Sequence, residues 1–518
     1  MDAQVPSSTN ILVIGGGPAG AYAAGVLVRE GFEVTLLEKD VFPRYHIGES
    51  MLPSWRQFLR FIDMEEKMKN YGFLPKPGGA IKLNQDKREG YTDFIANNPE
   101  NSAWNVVRSE FDQLLLNHVA EQGVQVHEGT RVDEIHFSPE EPTRPVSLTW
   151  SKDDKTRGEI SFNWLVDASG RNGLMSTKYL KNRTFNKSLK NVAVWGYWTG
   201  TNRYAPGTNR ENAPWFEALT DETGWVWFIP LHNGTTSVGV VLVEEESKRK
   251  KAEFRAENEG KSLSEVQHDR YMADIQLAPG LIDLLGDGKF QGKLQSAGDY
   301  SYHASGYAGP HFRIAGDAGA FIDPFFSSGI HLAFTGGLSA ACTIAASIRG
   351  HCTEEEASEF HSSKIKTAFT RFLFVVLGIY KQLRSQQSQI LYEADEESLD
   401  RAILSLRPVI QGAADADEDL TKEELESTLD FCKSVLEPGQ PEANGDAAAK
   451  SQDAVPKPIP VALSSGAGAN MDAKRAEIEA ESLRSLQEMD DCKRNFGTEV
   501  INGFFVKMEQ GVLGLVRA

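Results

Sequence analysis

The sequence predicts an α/β fold, in which a Rossmann-like domain carries an inserted mixed β-sheet domain and a helical C-terminal region. Residues 10–40 contain an apolar strand, a Gly-rich turn, an Ala-rich helix and a second strand, which is the order of a βαβ unit. Alternating and β-branched residues at 145–165 and 191–243 indicate successive sheet strands. Helical patterns follow at 329–350 and over most of 353–433.

The composition excludes several classes of partner. The chain has 518 residues and a formal net charge of −19, which argues against nucleic acid or an anionic membrane surface as a ligand. The four cysteines are scattered without a CxxC pair, so we expect reduced thiols and no metal site. The N-terminus lacks a basic signal region, and the apolar run 372–380 is too short to cross a bilayer. We therefore expect a cytoplasmic protein without a membrane span.

Composition changes along the chain suggest its division into domains. A module over 8–345 should contain the cofactor site, with its β-sheet substrate part at about 70–105 and 185–300. A helical substrate-side region is expected at 346–435. Residues 436–470 are rich in Pro, Ala, Gly and Ser and are interpreted as a flexible linker or loop. A C-terminal helical segment is predicted over 471–518.

The Gly-rich turn is the first candidate site. Gly15, Gly17 and Gly20 have GxGxxG spacing after a strand and before a helix, where the backbone can approach a pyrophosphate at the helix N-terminus. Glu38 ends the next strand, where its carboxylate can accept hydrogen bonds from ribose hydroxyls. Two further residues of the turn should face the cofactor with their backbones: Gly16 and Ala19. The motif predicts a dinucleotide but does not separate FAD from NAD.

Two later stretches favour FAD. "LVDASGRNG" (165–173) and "FRIAGDAGAF" (312–321) resemble the distal signatures of FAD-dependent monooxygenases of the parahydroxybenzoate hydroxylase fold. The resemblance implies an FAD-binding Rossmann-like domain with Asp317 at the ribityl chain. It also implies that Arg108, in "VVRSEFDQLLL", reaches the flavin phosphates or ribityl, and that Glu49, in "FPRYHIGES", lies beside the cofactor. The alternative for Arg108 and Glu49 is an ordinary surface or helix-cap charge.

A second group of motifs resembles the flavin-dependent halogenases. "WVWFIP" (225–230) matches their WxWxIP motif, and "FIDPFFSSGI" (321–330) fits their Phe-x-x-Pro-x-x-Ser-x-Gly pattern. "RYHIGES" matches their GES loop, and "FLPKPGGAIKL" (73–83) resembles their lysine segment in its phenol-directed form. Together these motifs resemble fungal halogenases that chlorinate phenolic polyketides.

That resemblance implies a reaction and a catalytic residue. Reduced FAD and O2 would form a hydroperoxide that oxidises chloride to hypochlorous acid, and Lys76 would deliver the chlorine to a phenolic ring. A lysine suits this role because desolvation lowers its pKa. Lys82 is a rival, since the neighbouring glycines allow a shifted alignment. Because no second complete GxGxxG unit is visible, a separate flavin reductase, in transient contact, should supply the reduced FAD.

The halide is expected at the start of the helix that begins near Gly329. Ser328 and Gly329 are the chloride residues, with Ile330 next to the flavin edge, because free N–H groups and the positive helix end attract anions. Both residues would serve equally as a cap serine and a turn glycine. Tryptophan halogenases carry a Glu two residues before the first chloride residue, whereas this chain has Phe326. No residue is assigned as the phenol base, and four histidines are read as structural: His232, His303, His311 and His331.

The two indoles of "WVWFIP" are interpreted as a channel wall. Trp225 and Trp227 should share one strand face, where two large rigid rings would block a passage to anything larger than a small oxidant. The alternative is that both fill a sheet–sheet core. Two other functions stay open at this point: a flavin-dependent phenol hydroxylase, and a non-catalytic flavoprotein whose C-terminal part binds a partner.

Overall fold

The computed structural model describes residues 4–96, 98–384, 386, 398–416 and 500–518. Its strands, in chain order, are β1 Ser8–Ile14, β2 Val34–Leu37, β3 Leu74–Lys76, β4 Gly78–Lys82, β5 Gly90–Asp93, β6 Ala103–Asn105, β7 Gln125–His127, β8 Thr130–Phe137, β9 Pro145–Lys152, β10 Arg157–Asp167, β11 Arg183–Thr199, β12 Trp215–Ala218, β13 Gly224–Pro230, β14 Thr235–Val243, β15 Lys289–Phe290, β16 Gln295–Ala304, β17 Ala308–Gly309, β18 Phe312–Ile314, β19 Ala320–Phe321, β20 Phe504–Lys507 and β21 Gly514–Arg517. The α-helices are α1 Pro18–Arg29, α2 Trp55–Phe61, α3 Glu65–Tyr71, α4 Arg108–Glu121, α5 Glu244–Glu257, α6 Leu263–Ile275, α7 Pro279–Leu285, α8 Gly329–Ile348, α9 Glu354–Leu383, α10 Ser398–Ile410 and α11 Ala413–Ala416.

The first sheet contains the predicted βαβ unit. Its order is β17-β18-β10-β1-β2-β7, and β9 and β8 extend it from β10. β1 runs parallel to β2 and to β10, so that Ile14 is in register with both Leu37 and Asp167. The four residues of β2 are all buried, as expected of a parallel strand covered on both faces. The prediction of a Rossmann-like unit at 10–40 is confirmed.

The second sheet is mixed, as predicted. Its order is β19-β16-β11-β14-β13-β12-β4-β5, with β15 paired to β11. The pairings are antiparallel except that β12 runs parallel to β4. β4 and β5 come from the segment between the βαβ unit and α4, whereas the other strands lie after residue 182. Two distant parts of the chain therefore build one sheet, which contains "WVWFIP" in β13. Lys76 lies on β3, which pairs with β6 in a separate two-stranded sheet.

Helix α8 packs against α1 and α9. Among the described helices it alone is long and apolar enough to cross a membrane, but 89% of its apolar window is buried inside the protein, as in a core helix. Its glycines allow close packing beside the cofactor turn: a Cβ on Gly337 would lie 2.7 Å from Ala19 O, and one on Gly336 would lie 3.2 Å from Gly316 N. The apolar run 372–380 lies in α9.

The C-terminal residues correct one prediction. The sequence analysis assigned 471–518 to a helical segment, but residues 504–517 form the antiparallel hairpin β20–β21. The reason is local: "FFVK" and "GLVR" are short, rich in β-branched and aromatic residues, and joined through Gly511 in the left-handed region (φ 84°), which is a hairpin pattern. The predicted linker and the helix proposed at 472–496 lie outside the described residues, as do Cys432 and Cys492.

Glu30 anchors this hairpin to the cofactor-binding half. Its carboxylate accepts hydrogen bonds from Arg349 Nη1 (2.8 Å), Gly511 N (3.1 Å) and Leu513 N (3.1 Å). The Glu30 side chain is 1% exposed and that of Arg349 is 20% exposed. A buried carboxylate with three donors is well satisfied. Removing it would leave the largely buried Arg349 guanidinium without its charged partner, held only by Leu513 O and Glu30 O, and the buried Leu513 N–H without its acceptor.

Replacing Glu30 by Ala should lower the free energy of unfolding by roughly 3 kcal/mol, because the buried Arg349 charge loses its partner. Urea denaturation of the flavin-free protein measures the change. The matched control is Glu246→Ala, which breaks an exposed pair with Arg249 that is worth below about 1 kcal/mol. A Glu30→Ala protein as stable as the control would contradict this assignment.

Candidate active site

The Gly-rich turn between β1 and α1 is shaped by two steric constraints. Gly15 has φ 103°, and a Cβ there would lie 2.2 Å from Ala168 O. A Cβ on Gly20 would lie 2.0 Å from Gly15 O. Gly17, by contrast, faces open space, where the nearest atom to an added Cβ is Arg44 Nη2 at 3.6 Å. The turn is therefore tightly packed at Gly15 and Gly20 and open at Gly17, as a pyrophosphate at the start of α1 requires.

Glu38 lies beside this turn. Its carboxylate accepts hydrogen bonds from Gly16 N (2.6 Å) and Asp40 N (2.8 Å), which fix its orientation at the end of β2. A carboxylate held in this way still has lone pairs for ribose hydroxyls. Ala19 is buried in the first turn of α1.

Arg108 is placed differently from a freely reaching phosphate ligand. It forms a bidentate pair with Asp112, with Nε–Oδ1 and Nη2–Oδ2 distances of 2.8 and 2.9 Å, and donates to Ile47 O and Gly48 O. It therefore holds the loop that contains Glu49. Arg44, which the sequence analysis did not single out, pairs with Asp112 (2.7 Å) and lies nearer the Gly-rich turn.

Asp317 has the surroundings expected of a ribityl ligand. It lies in a short 3₁₀ turn after β18, and no described residue donates a hydrogen bond to its carboxylate. Desolvation raises its pKa to about 6, against the charges of Arg171, Arg108 and Arg183. Together with the open Gly-rich turn and Glu38, this unpaired carboxylate fits a flavin dinucleotide.

Lys76 is buried and desolvated. It ends β3, its side chain is almost completely shielded from solvent, and its Nζ donates to Met51 O at 2.8 Å. Nζ also lies 5.0 Å from the centre of the Phe94 ring. Burial lowers the pKa of Lys76 to about 7, so that the neutral amine is well populated near neutral pH. The rival, Lys82, is half-buried and donates to Lys87 O at 3.0 Å.

The start of α8 has an unused hydroxyl. Ser328 is the N-cap residue, yet its side chain makes no capping hydrogen bond, and its buried Oγ has no partner among the described residues. Gly329 is exposed, and a Cβ there would meet nothing within 4 Å. Ile330 and Phe326 are buried on either side. Because the first N–H groups of a helix have no intrahelical acceptor, donors and free space coincide here.

Three consecutive loop residues connect these features. Glu49 Oε1 accepts from Tyr197 Oη (2.8 Å), Ser50 Oγ accepts from Ser327 Oγ (3.0 Å), and Met51 O accepts from Lys76. The loop that contains Glu49, Ser50 and Met51 thus contacts strand β11, the turn before α8 and Lys76. Burial raises the pKa of Glu49 to about 7, although the nearby Ser237 and Tyr197 hydroxyls and the charge of Arg108 lower it.

The two tryptophans are buried and both use their indole N–H groups. Trp225 and Trp227 lie on β13 with ring centres 6.0 Å apart, and their exposed fractions are 1% and 6%. Trp227 Nε1 donates to Ser237 Oγ at 3.1 Å, and Ser237 lies near Glu49. The indoles therefore fill space in the interior and also orient polar groups.

Trp225 is connected by hydrogen bonds through Tyr380 to a second buried carboxylate, that of Asp323. Its Nε1 donates to Tyr380 Oη at 2.8 Å, and Tyr380 donates to Asp323 Oδ2 at 2.7 Å. Asp323 Oδ2 also accepts from Asn191, and Oδ1 accepts from Phe325 N in the turn before α8. This set of hydrogen bonds could not be predicted, because nothing in the sequence indicates that residues 225, 323 and 380 lie close together.

The four histidines occupy structural positions. His331 is buried between Ser54 and Asp415, and His311 stacks on Trp164 with its Nδ1 at Asn163 O. His232 pairs with Glu110, and His303 packs against Phe369.

Comparison with known proteins agrees with this geometry. The sequence profile of the family described as tryptophan halogenase matches residues 10–101 and 80–389. The chain is 93% identical to the flavin-dependent halogenase armH2 of Armillaria mellea over the whole of both chains. It is 45% identical to the sulochrin halogenase gedL of Aspergillus terreus, over 99% of this chain and 94% of that protein.

Solved structures agree as well. The myxobacterial chondrochloren halogenase CndH, described as a variant of FAD-dependent halogenases, superposes with a TM-score of 0.65 at 25% identity, over 84% of this chain and 99% of that one. These matches decide against the hydroxylase and the non-catalytic flavoprotein. The chain belongs to the flavin-dependent halogenases.

Proposed function

We propose that this halogenase chlorinates the ring of a phenolic aromatic compound of polyketide type, with FAD, oxygen and chloride, and that Lys76 delivers the chlorine. The observation that carries the proposal is a buried lysine with a pKa near 7, joined through one loop to the start of α8. The 45% identity to a sulochrin halogenase supports the substrate class.

The cofactor half supplies binding and orientation. The open side of the Gly15–Gly17 turn and the α1 N-terminus would hold the pyrophosphate, Glu38 the ribose, and Asp317 the ribityl chain. When bound in reduced form, FAD would supply, together with oxygen, the two-electron oxidation of chloride to hypochlorous acid. Arg108 would act indirectly, because its guanidinium holds the loop that contains Glu49 and does not reach into open space.

Chloride would bind at the start of α8. The uncapped Ser328 hydroxyl and the first N–H groups of the helix are donors without an acceptor, and no carboxylate occupies position 326. An anion gains both hydrogen bonds and the favourable helix dipole there. Ile330 would lie against the flavin edge.

Lys76 would act after hypochlorous acid forms. In its neutral state, the amine can exchange a hydrogen for chlorine, which forms an N–Cl bond and releases water. In its charged state, it can instead hydrogen-bond the oxygen of hypochlorous acid. In both routes a ring carbon takes the chlorine and loses its proton. A pKa near 7 keeps both states accessible, and a phenol directs the chlorine ortho or para to its oxygen.

Separation of the two reactions would depend on the β13 face. Trp225 and Trp227 are large, rigid and hydrogen-bonded, which suits a wall that a phenol cannot pass. A separate flavin reductase would provide reduced FAD through transient contact or diffusion, in the cytoplasm. The module at 8–345 and the substrate-side helices at 346–435 remain the proposed division of the chain.

Replacing Lys76 by Ala should abolish chlorination of the phenol while hypochlorous acid is still formed, because the halide site is unchanged. Mass spectrometry detects the chlorinated product by its isotope pattern, and trapping with monochlorodimedone detects free hypochlorous acid. Lys82→Ala is the matched control and should retain product. A Lys76→Ala protein that still chlorinates, or a Lys82→Ala protein that does not, would move the role away from Lys76.

Replacing Lys76 by Met should stabilise the flavin-free protein. The folded pKa is about 7, whereas an unfolded lysine has a pKa of about 10.4. Between these values the unfolded chain binds a proton that the folded chain does not, so wild-type stability falls with decreasing pH. The advantage of Lys76→Met should therefore grow from pH 10 to pH 7, by up to roughly 1.4 kcal/mol per pH unit. Urea denaturation across this range measures it, and parallel curves would refute the buried neutral amine.

Replacing Gly329 by Ala should raise the KM for chloride about tenfold, equivalent to ~1.4 kcal/mol, because the methyl group enters the free space in front of the α8 donors. The fold should tolerate it, since the added Cβ meets nothing within 4 Å. Steady-state chlorination at varied chloride tests this. Gly306→Ala adds a methyl group in similarly open space away from α8 and should leave the KM unchanged. An unchanged KM in Gly329→Ala would place chloride elsewhere.

A further inference from the structure

A line of hydroxyl groups runs from the protein surface to the buried Glu49. Tyr45 is 50% exposed, and its Oη lies 3.0 Å from Tyr197 Oη. Tyr197 Oη lies 2.8 Å from Glu49 Oε1. Trp195 Nε1 donates to Tyr45 Oη at 2.6 Å. None of these three contacts is needed to close either sheet, because all three are made by side chains.

The direction of the hydrogen bonds in this line is fixed by chemistry. An indole N–H can only donate, so Tyr45 Oη accepts from Trp195. An ionised carboxylate can only accept, so Tyr197 gives its hydrogen to Glu49. The hydrogen between the two phenols must then be that of Tyr45. Each hydroxyl thus points inward, and the outer lone pair of Tyr45 is left for water.

The inner end of the line, Glu49, is next in the chain to residues that contact Lys76 and the turn before α8. Ser50 and Met51, which follow Glu49, contact Ser327 and the Lys76 ammonium or amine. Formation of hypochlorous acid and water from chloride, oxygen and a neutral two-electron-reduced flavin consumes one proton. That proton comes ultimately from solvent, and Glu49 is itself buried.

We infer that Tyr45, Tyr197 and Glu49 form the proton path that feeds this step. Glu49 in its acid form gives its proton to the oxygen that leaves as water. The resulting carboxylate takes the hydrogen of Tyr197, Tyr197 takes that of Tyr45, and Tyr45 takes one from a surface water. The net change is one proton moved inward, with every O–H bond restored.

The groups around Glu49 suit a carrier that both holds and releases a proton. Tyr197 faces it from β11, Ser237 from β14, Arg108 from α4, and Tyr45 and His46 lie on its own loop. The charge of Arg108 lowers the pKa of His46 to about 4, so this imidazole is neutral near pH 7 and does not compete. A carboxyl group that titrates near neutral pH is an efficient relay at working pH.

The inference rests on the proposed chloride oxidation, and its test separates the two. Hypochlorous acid formation is measured with monochlorodimedone, in the Lys76→Ala background, across pH 5.5 to 9. Tyr197→Phe and Tyr45→Phe should each lower its rate about tenfold or more, as for loss of a general acid–base step, with the KM for chloride unchanged. Glu49→Gln should lower it too and remove the inflection near pH 7. If the background protein forms no hypochlorous acid, the proposed order of steps fails rather than the path.

Infrared spectroscopy of the flavin-free protein gives a readout independent of turnover. In the wild type, the carbonyl band of protonated carboxyl groups should contain one component that titrates near pH 7, besides that of Asp317 near pH 6. The component near pH 7 should be absent in Glu49→Gln. After a pH jump, the band should appear more slowly in both Phe variants, which a purely structural role would not cause. Tyr71→Phe is the matched control, since Tyr71 also donates to a carboxylate, Glu110, at the surface (2.9 Å), and should behave as wild type.

Two results would overturn the proton path. One is a Tyr45→Phe protein, altered only at a half-exposed side chain, that keeps both the rate of hypochlorous acid formation and the speed of the infrared change. The other is a carboxyl band near pH 7 that persists in Glu49→Gln. Tyr45→Phe removes one hydroxyl near the surface, so loss of folding does not obscure the outcome.

Discussion

Two buried carboxylates hold together the loops on which the active site depends. Glu49 fixes the loop between β2 and α2, and Asp323 fixes the turn before α8. Each accepts a hydrogen bond from a tyrosine hydroxyl: Glu49 from Tyr197 and Asp323 from Tyr380. Tyr380 itself accepts the indole N–H of Trp225, whereas Trp227 donates to Ser237, which lies near Glu49. Since an indole can only donate, Trp225 turns the hydrogen of the Tyr380 hydroxyl toward the Asp323 carboxylate. Both tryptophans of the WxWxIP motif are thus explained by their polar atoms as much as by their rings.

The buried ionisable residues of the site also lower the stability of the folded protein. Lys76, Glu49 and Asp317 all have a pKa shifted toward the neutral form by desolvation. Such shifts mean that burial disfavours the charged states, which weakens the folded protein at pH values where the unfolded chain would be charged. The stabilising contribution comes from elsewhere, from the apolar α8 helix and from the hairpin clamped by Glu30 at the far end of α8.

Local patterns predicted the parts of the molecule that local rules govern. The βαβ unit, the long α8 and the strands of "WVWFIP" follow from periodicity and glycine spacing, and they stand in the structure where expected. The C-terminal hairpin was missed because the helical pattern before it was extended too far. Within the site, Lys76 was preferred to Lys82 by resemblance alone, whereas burial provides a physical reason. Arg108 has its predicted position but holds a loop, because Asp112, one helical turn later, captures its guanidinium.

What the sequence could not provide is the meeting of distant residues. Tyr197, Ser237 and Tyr380 lie in stretches that read as ordinary strand or helix, and only the fold brings them to Glu49 and Asp323. This bears on Phe326, where the tryptophan halogenases carry a Glu. A carboxylate at that position would face the start of α8 and compete with chloride for its donors. Here Asp323 accepts hydrogen bonds from Tyr380 and Asn191, whereas Glu49 accepts from Tyr197 through Oε1 and its buried Oε2 has no partner among the described residues. With Phe326 in place of that carboxylate, the buried Ser328 hydroxyl at the start of α8 has no acceptor among the described residues and is open to the proposed chloride.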